Sequence, residues 1–443
     1  MNSSTPALAR WASKAILTGA ALLCAATGPA FADDNAGVAR VSLLNGNVTM
    51  QRGDSGDTIA AVINAPVMAG DYLTTATDAS RAEVQLDNAD LVRVGADAQL
   101  RFTQLDPAQD TVQVAAGTSE LRVLRETDAH PELQTPSIAI RPDDAGRYRV
   151  TVNADGTTVF TVRSGRADLL TPQGAQTIVA GHSVLVSGNS SNPQITAAPL
   201  VAYDAFDSWN DDRDEFYARA ANDPYAGSAM VGLSDLDTYG HWIYQPDYGQ
   251  VWVAYNYPVG WAPYHYGRWV WEPYYGWTWV GYEPWGWAPY HYGNWFWAAG
   301  HGWAWYPGPV IVRPVWRPAV VAFFGFSGGG YGGGFNFNVA FGNVGWVPLA
   351  PYEPYHPWWG PNWANHTTVI NNYTTINNIT NVNITRVYRN AVVPGGIAVV
   401  HGDNLTNGSV YHYVPVRQDE LQNVTLVKSA LPVVPTRQAL SFT

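Results

Sequence analysis

The chain has 443 residues, with 24 Lys and Arg against 36 Asp and Glu, a formal charge of −12 and a single cysteine. An acidic chain without a basic cluster is a poor partner for nucleic acid, because phosphate contacts supply most of that affinity. One cysteine also excludes a disulfide framework.

The first elements concern export. Arg10 and Lys14, an apolar run from Ala15 to Ala26, and Ala30-Phe31-Ala32 before Asp33 read as a signal peptide over residues 1–32, cleaved after Ala32. The expected location is periplasmic or secreted. Cys24 lies inside that run and would leave with it, and Leu23 is not the small residue that lipid attachment needs at that place. No later stretch reaches the ~20 apolar residues of a span, so no integral membrane segment is expected.

Over residues 37–190 short runs alternate apolar and polar side chains between Gly, Asp and Asn. Ala82-Glu83-Val84-Gln85-Leu86 puts Ala82, Val84 and Leu86 on one face and Glu83 and Gln85 on the other. Leu91–Val94, Ser119–Val123 and Tyr148–Val152 follow the same pattern, which predicts a β-sandwich or roll. Gly70-Asp71-Tyr72-Leu73-Thr74-Thr75, Ser80-Arg81-Ala82-Glu83-Val84-Gln85-Leu86, Gly117, Thr135-Pro136-Ser137, Val162-Arg163-Ser164-Gly165-Arg166-Ala167 and Ala180-Gly181 occur in an order that resembles the FecR domain. In that family the domain is periplasmic, and its best-known members relay an outer-membrane signal to a cytoplasmic sigma factor. This sequence departs from them in showing neither a cytoplasmic segment nor a span. The resemblance therefore implies an envelope β-domain for protein or glycan contact, with a periplasmic role in a sigma-factor pathway as the alternative.

Residues 200–234 change character. Tyr203, Phe206, Trp209, Phe216 and Tyr217 recur at helical spacing among Asp204, Asp207, Asp211, Asp212, Asp214 and Glu215, predicting an acidic amphipathic helix that braces the two β-regions. Its acidic side is expected to be a solvated face. A calcium loop is the sharper reading, but the glycine and terminal glutamate of an EF-hand are missing.

Residues 236–363 form the densest region. Tyr239-Gly240-His241-Trp242 and Gly249-Gln250-Val251-Trp252 open a unit that returns as Trp261-Ala262-Pro263-Tyr264-His265-Tyr266-Gly267-Arg268-Trp269-Val270-Trp271 with Gly276-Trp277-Thr278-Trp279. It returns again as Trp287-Ala288-Pro289-Tyr290-His291-Tyr292-Gly293-Asn294-Trp295-Phe296-Trp297 with Gly302-Trp303-Ala304-Trp305. The period is 27 residues from Tyr239 to Tyr266 and 26 from Gly276 to Gly302, an internal repeat. Tryptophans two apart share a face of an extended strand, and the Gly-containing links between them suit tight turns. Each unit thus predicts a β-hairpin, and the three a meander. This region resembles the uncharacterised Trp-rich domain found behind FecR domains in exported proteins, a likeness running from about Phe206 to Asn407.

Thirteen of the 20 Trp lie between Trp242 and Trp305. They are expected to form mainly core, with a minority on one face as a stacking platform. The candidate ligand-binding rings are Tyr264, Tyr266, Trp269, Trp271, Tyr290, Tyr292, Trp295 and Trp297.

Catalytic patterns are weak. Gly325-Phe326-Ser327-Gly328-Gly329 spells a nucleophile elbow, and Gly328, Gly330 and Gly333 a dinucleotide loop, but Gly328-Gly329-Gly330-Tyr331-Gly332-Gly333-Gly334 cannot supply the helix that either needs. His241, His265, His291 and His301 lack ligand spacing, and His265 and His291 suit rings packed edge-on with a nitrogen bonded to backbone. Glu272 and Glu283 make a thin acid pair. No enzyme activity, metal or cofactor is expected.

Residues 364–386, rich in Asn and Thr, predict either edge strands or an unordered, adhesive segment. The tail, 387–443, offers Val392-Val393 and Val424–Lys428 as weakly docked strands. The fold class expected is mainly β: a FecR-like sandwich or roll, a short bracing helix, a Trp-rich hairpin domain and a low-complexity tail. The function expected is non-enzymatic binding or scaffolding in the cell envelope, its partner a protein or cell-wall glycan. The alternatives are the signalling role above and peptidoglycan or polysaccharide binding through exposed aromatics.

Overall fold

Period-two alternation from Ala39 to Ala198 resolves into strands of two sheets that share one long strand, Gln109–Val123. Its first half pairs with Gln99–Leu105 and, in parallel, with His130–Gln134. Its second half pairs with Asp90–Val94 and Gly146–Val152. Gly117 makes the transfer at φ 80°, where a Cβ would lie 2.4 Å from the Asp97 carbonyl oxygen and 2.5 Å from Ala98 Cα. Met50, Leu73, Val84, Leu100, Phe102, Ile140, Val150, Phe160 and Leu169 meet in one apolar core. The structure, a computed structural model, describes residues 37–443 except 78, 128, 221–223, 226–227, 311–313, 327–341, 359–379, 409–411, 429 and 443. The expected signal peptide, Ser327 and its glycine run, residues 359–363 and most of the Asn/Thr-rich segment lie outside the described residues.

The helix forms at Ala205–Ala220. Asp204 caps it by accepting from the backbone amides of Phe206 (2.9 Å) and Asp207 (3.1 Å). The acidic side is only partly the solvated face expected: Asp211, Asp212 and Glu215 are exposed, whereas Asp207 is buried and Asp214 half-buried. Four neighbouring strands present Arg93, Arg122, Arg147 with Arg149, and Arg163, and the helix meets that row with carboxylates. Asp214 pairs with Arg93 at 2.7 Å and Arg122 at 2.9 Å, while buried Asp207 pairs with Arg149 and Arg163, both at 2.7 Å. Glu83, placed by alternation on an outer face, is likewise buried, accepting from Arg93, Arg213 and the Tyr217 hydroxyl. Burial alone would raise its carboxyl, but Arg213 and Arg93 hold it down at about 2. Charge complementarity is thus what seats the helix.

The aromatic unit gives three hairpins: Gly240–Gln245 with Gly249–Ala254, Gly267–Glu272 with Gly276–Gly281, and Asn294–Ala298 with Gly302–Tyr306. They do not make the expected meander. The first and third join in one sheet through Trp252 opposite Trp305, and the second stands alone. The reason lies on the second hairpin's other face: Val270 and Val280 belong to the core of the N-terminal sandwich. Its Glu272 takes both terminal nitrogens of Arg52, at 2.5 and 2.6 Å, with both side chains fully buried. Asn64 donates to the Glu283 carbonyl at 2.8 Å, and Arg40 pairs with Asp235 at 2.6 Å. In return Val38 and Met68 enter the aromatic core.

A third sheet follows the repeat. It contains Val321–Phe326, Asn343–Pro348, Ala398–His401, Val424–Leu426 and Thr380–Val382. Val392 ends a 3-10 turn, Arg389–Val392, rather than a strand, which suits Pro394 just beyond it. Nor is the tail weakly docked: Val433 and Phe442 are fully buried, and Phe442 sits in the N-terminal core. No helix among the described residues is long and apolar enough to cross a membrane.

Candidate functional site

The aromatic core is built from cross-strand indole pairs. Register places Trp242 opposite Trp252, Trp269 opposite Trp279, Trp271 opposite Trp277, Trp295 opposite Trp305 and Trp297 opposite Trp303. Trp252, Trp269, Trp277, Trp279, Trp287, Trp295, Trp303 and Trp305 are all essentially inaccessible. Edge-to-face contacts dominate, such as Trp269 on Trp279 at 5.3 Å and 68°, the geometry that ring quadrupoles prefer.

This burial decides the expected stacking surface. Tyr264, Trp269, Tyr290, Tyr292 and Trp295 are buried and belong to the core, where they cannot receive a ligand. Their polar atoms are used internally. The Tyr264 hydroxyl donates to the Tyr290 carbonyl at 2.8 Å and accepts from the Val320 amide at 3.0 Å. Trp295 Nε1 donates to the Pro289 carbonyl at 2.8 Å. Trp271 is half-buried at the seam with the sandwich, where its carbonyl accepts from Arg52. Only Tyr266 and Trp297 face solvent, at 52% and 50% exposure. Tyr266 packs edge-on against Tyr282, on a different hairpin from Trp297.

Trp297 therefore anchors the candidate surface, with neighbours that the sequence reading did not single out. Tyr257 donates to the His301 carbonyl at 3.0 Å and lies 5.0 Å from the ring of Trp261, which in turn meets Trp295 at 5.6 Å. A Cβ on Gly302 (φ 82°) would come within 2.5 Å of the Tyr257 hydroxyl and 3.9 Å of Trp297, so the turn of the third hairpin and the Tyr257 loop close on each other there. Val259 projects fully from that loop. Tyr257, Trp261 and Trp297 thus gather around the Gly302 turn as an apolar ledge, with Val259 exposed on the same loop as Tyr257. The available signal was Tyr257-Pro258-Val259-Gly260, a turn carrying apolar side chains where polar ones are usual.

The chemistry-bearing residues are dispersed. His291 is buried between Trp287 and Trp316, and its Nδ1 lies 2.7 Å from the Arg317 carbonyl. His265 Nδ1 lies 3.1 Å from the Pro263 carbonyl, and His241 stacks on Tyr255. Burial pushes His291 down to about 3. Among the described residues no group of three or more His, Cys, Asp or Glu could hold a metal ion. The two glutamates take unrelated partners. Burial pushes Glu272 up to about 7, with the Arg52 guanidinium opposing the rise. Burial also pushes Glu283 up to about 7, while Trp261 Nε1 (3.0 Å) and the Tyr290 hydroxyl (2.8 Å) donate to its Oε1. A cleft of about 430 Å³ lies beside the helix, lined by Arg122, Asp214, Tyr217, Met230 and Leu233. Of its lining charges, Arg122 and Asp214 are already paired with each other, and Arg125 donates to the Asn88 carbonyl at 2.9 Å.

Residues 233–353, the aromatic region, match DUF6600, a family of unknown function. Two crystal structures of a candidate anti-sigma factor from Parabacteroides distasonis are similar to part of the chain, at 16% and 17% identity and a TM-score of 0.26. Each similarity covers 30% of this chain and 60% of the solved one. The chain thus spans about three fifths of the length of those structures. No curated protein matches it.

Proposed function

We propose that this is an exported, non-enzymatic binding or scaffold protein of the cell envelope, in which a FecR-like sandwich and the aromatic domain act as one body. The observation that supports it is the seam between them. The fully buried Arg52–Glu272 pair, the exchange of Val270, Val280 and Phe442 for Val38 and Met68, and the docked tail hold both halves in fixed register. A seam of this kind presents surfaces at set positions, as a scaffold requires, rather than opening and closing around a substrate. The signal-like residues 1–32 support export. The partner is an envelope protein or a cell-wall glycan.

Two measurements test this reading. Fractionation of the native host should find the chain in periplasm or medium; a cytoplasmic pool would overturn the location. Purified protein should sediment saturably with isolated envelope material, and Trp297→Ala should weaken that binding with no change in melting temperature. Absence of sedimentation with both sacculi and whole envelopes would overturn the binding function.

A further inference from the structure

Ala350-Pro351-Tyr352-Glu353 makes a turn in which the Glu353 amide donates to the Ala350 carbonyl at 3.2 Å. Proline suits its second position, but the third takes a left-handed backbone, φ 69°, where glycine or asparagine is the usual residue. A bulky side chain there is strained. Burial does not compensate Tyr352, which is 78% exposed. The turn is firmly held all the same. Glu353 accepts from the Ala350 amide at 2.8 Å and from the Arg389 amide at 2.7 Å, and the Arg389 guanidinium donates to the Pro351 carbonyl.

This strained turn sets the Tyr352 ring beside two others from distant parts of the chain. Tyr248 lies in the turn of the first hairpin, and Tyr306 ends the third. Ring centres are 5.4 Å apart for Tyr248 and Tyr306, and 6.2 Å for Tyr352 with each of them, inclined by 42°, 32° and 56°. Arg389, which fixes the turn, also donates to the Tyr248 hydroxyl at 3.3 Å. Among the described residues tyrosine rings meet in two other places. Tyr264 and Tyr290 are fully buried, and Tyr266 meets Tyr282 edge-on at 86°. The group around Tyr352 differs from both: it gathers three phenols, one largely open to solvent, at inclinations close to that of a twisted biaryl.

Sulfur, which oxidants attack readily where it is accessible, is shielded. Met50, Met68 and Met230 are buried, and Met1 and Cys24 lie in the signal-like residues 1–32. An oxidant at the surface of the described residues therefore meets aromatic side chains first.

We propose that Tyr248, Tyr306 and Tyr352 form a site of oxidative cross-linking, at which a peroxide acting through a one-electron oxidant joins Tyr352 to Tyr306 or Tyr248 as dityrosine. Each of the two phenols gives up one electron and its hydroxyl proton. The phenoxyl radicals bond through their ortho carbons, and the hydrogen on each of those carbons returns to oxygen. The two electrons and two protons released reduce one hydrogen peroxide to two waters. The new bond ties the Tyr352 turn to the sheet of the first and third hairpins. This modification goes beyond the binding-protein reading and does not depend on it.

The purified full chain, at low concentration, is treated with hydrogen peroxide and a haem peroxidase. Dityrosine is followed by its fluorescence and located by mass spectrometry after digestion. The expected product is a monomer in which a Tyr352 peptide is joined to one carrying Tyr306 or Tyr248, two hydrogens lighter than their sum, and which melts at a higher temperature than the untreated chain. Tyr352→Phe should lower the yield severalfold, while Tyr266→Phe leaves it unchanged. Tyr352→Gly relieves the backbone, and should abolish the link without lowering the melting temperature. A marked fall in that variant would show that the ring is held for packing, and would overturn the proposal. So would a yield indifferent to Tyr352→Phe, linkage at Tyr266, linkage between copies alone, or a spread over many tyrosines like that of the urea-unfolded chain.

Discussion

His291 and Glu283 lie in the same aromatic core and titrate in opposite directions. His291 is neutral in the folded chain because burial between Trp287 and Trp316 disfavours its charged form. Its folded pKa, about 3, lies below the ordinary 6.5. Between those values the unfolded chain binds a proton that the folded chain refuses, so stability falls as pH falls below 6.5, by up to about 1.4 kcal/mol per pH unit. Urea titrations of His291→Gln should show a shallower acid slope than the parent; an identical slope would mean that His291 is not what titrates. For Glu283 the folded value of about 7 lies above the ordinary 4.5, so the folded chain keeps a proton that the unfolded chain gives up. Its penalty grows as pH rises from 4.5 to 7, to about 3 kcal/mol. Glu283→Gln preserves an acceptor for Trp261 and Tyr290. It should match the parent's melting temperature near pH 5 and exceed it near pH 8. The sequence set His265 and His291 at equivalent repeat positions, and it showed both as rings suited to packing. It could not show that only His291 would be closed in between two indoles, because Trp316 arrives from beyond the repeat.

At the scale of elements, the helix Ala205–Ala220 rests on charge more than on oil. Asp207 is fully buried and shared by Arg149 and Arg163. Removing one partner of a buried pair strands the other, at a typical cost of about 3–5 kcal/mol. Asp207→Ala should therefore lower stability by roughly 3 kcal/mol and speed amide exchange along residues 205–220, whereas Asp212→Ala, on an exposed position, should do neither. Unchanged exchange would show that the apolar contacts of Phe206 and Tyr217 suffice. Helical spacing of the aromatics made this element legible, but the same spacing assigned its acids to water. The missing information was the arginine row, whose members are spread from Arg93 to Arg163 and align only once four strands are neighbours. The hairpins were legible for a similar local reason, since tryptophans two apart and glycine turns act within a few residues. Their association was not. Nothing within the second hairpin announces that Val270 and Val280 will leave its siblings for another core.

At the scale of the whole molecule, the described residues cluster as one compact unit, although the sequence reads as a chain of separate domains. The composition shifts near residues 190 and 236 mark changes of local pattern, and ion pairs cross both, Arg149 with Asp207 over the first and Arg52 with Glu272 over the second. What joins the halves is dominated by partners far apart in sequence, such as Arg52 with Glu272, and long-range pairs leave no periodic signature. A shared core also has a thermodynamic consequence. Because each half contributes side chains to the other's core, neither can unfold without exposing part of its neighbour, and calorimetry should give a single transition whose van't Hoff and calorimetric enthalpies agree. Two resolved transitions would mean that the seam is weaker than its burial implies. Glu272 separates polarity from packing as the source of that coupling. Glu272→Ala leaves the buried Arg52 guanidinium without its carboxylate and should lower stability by about 3–5 kcal/mol. Replacing both partners with apolar side chains, Arg52→Met with Glu272→Leu, removes the stranded charge as well as the pair and should recover most of that loss. If the double variant stays as unstable as the single one, the ion pair itself holds the halves together; if it recovers, the apolar exchange around Val270, Val280 and Phe442 does so, and the pair serves to fix their register.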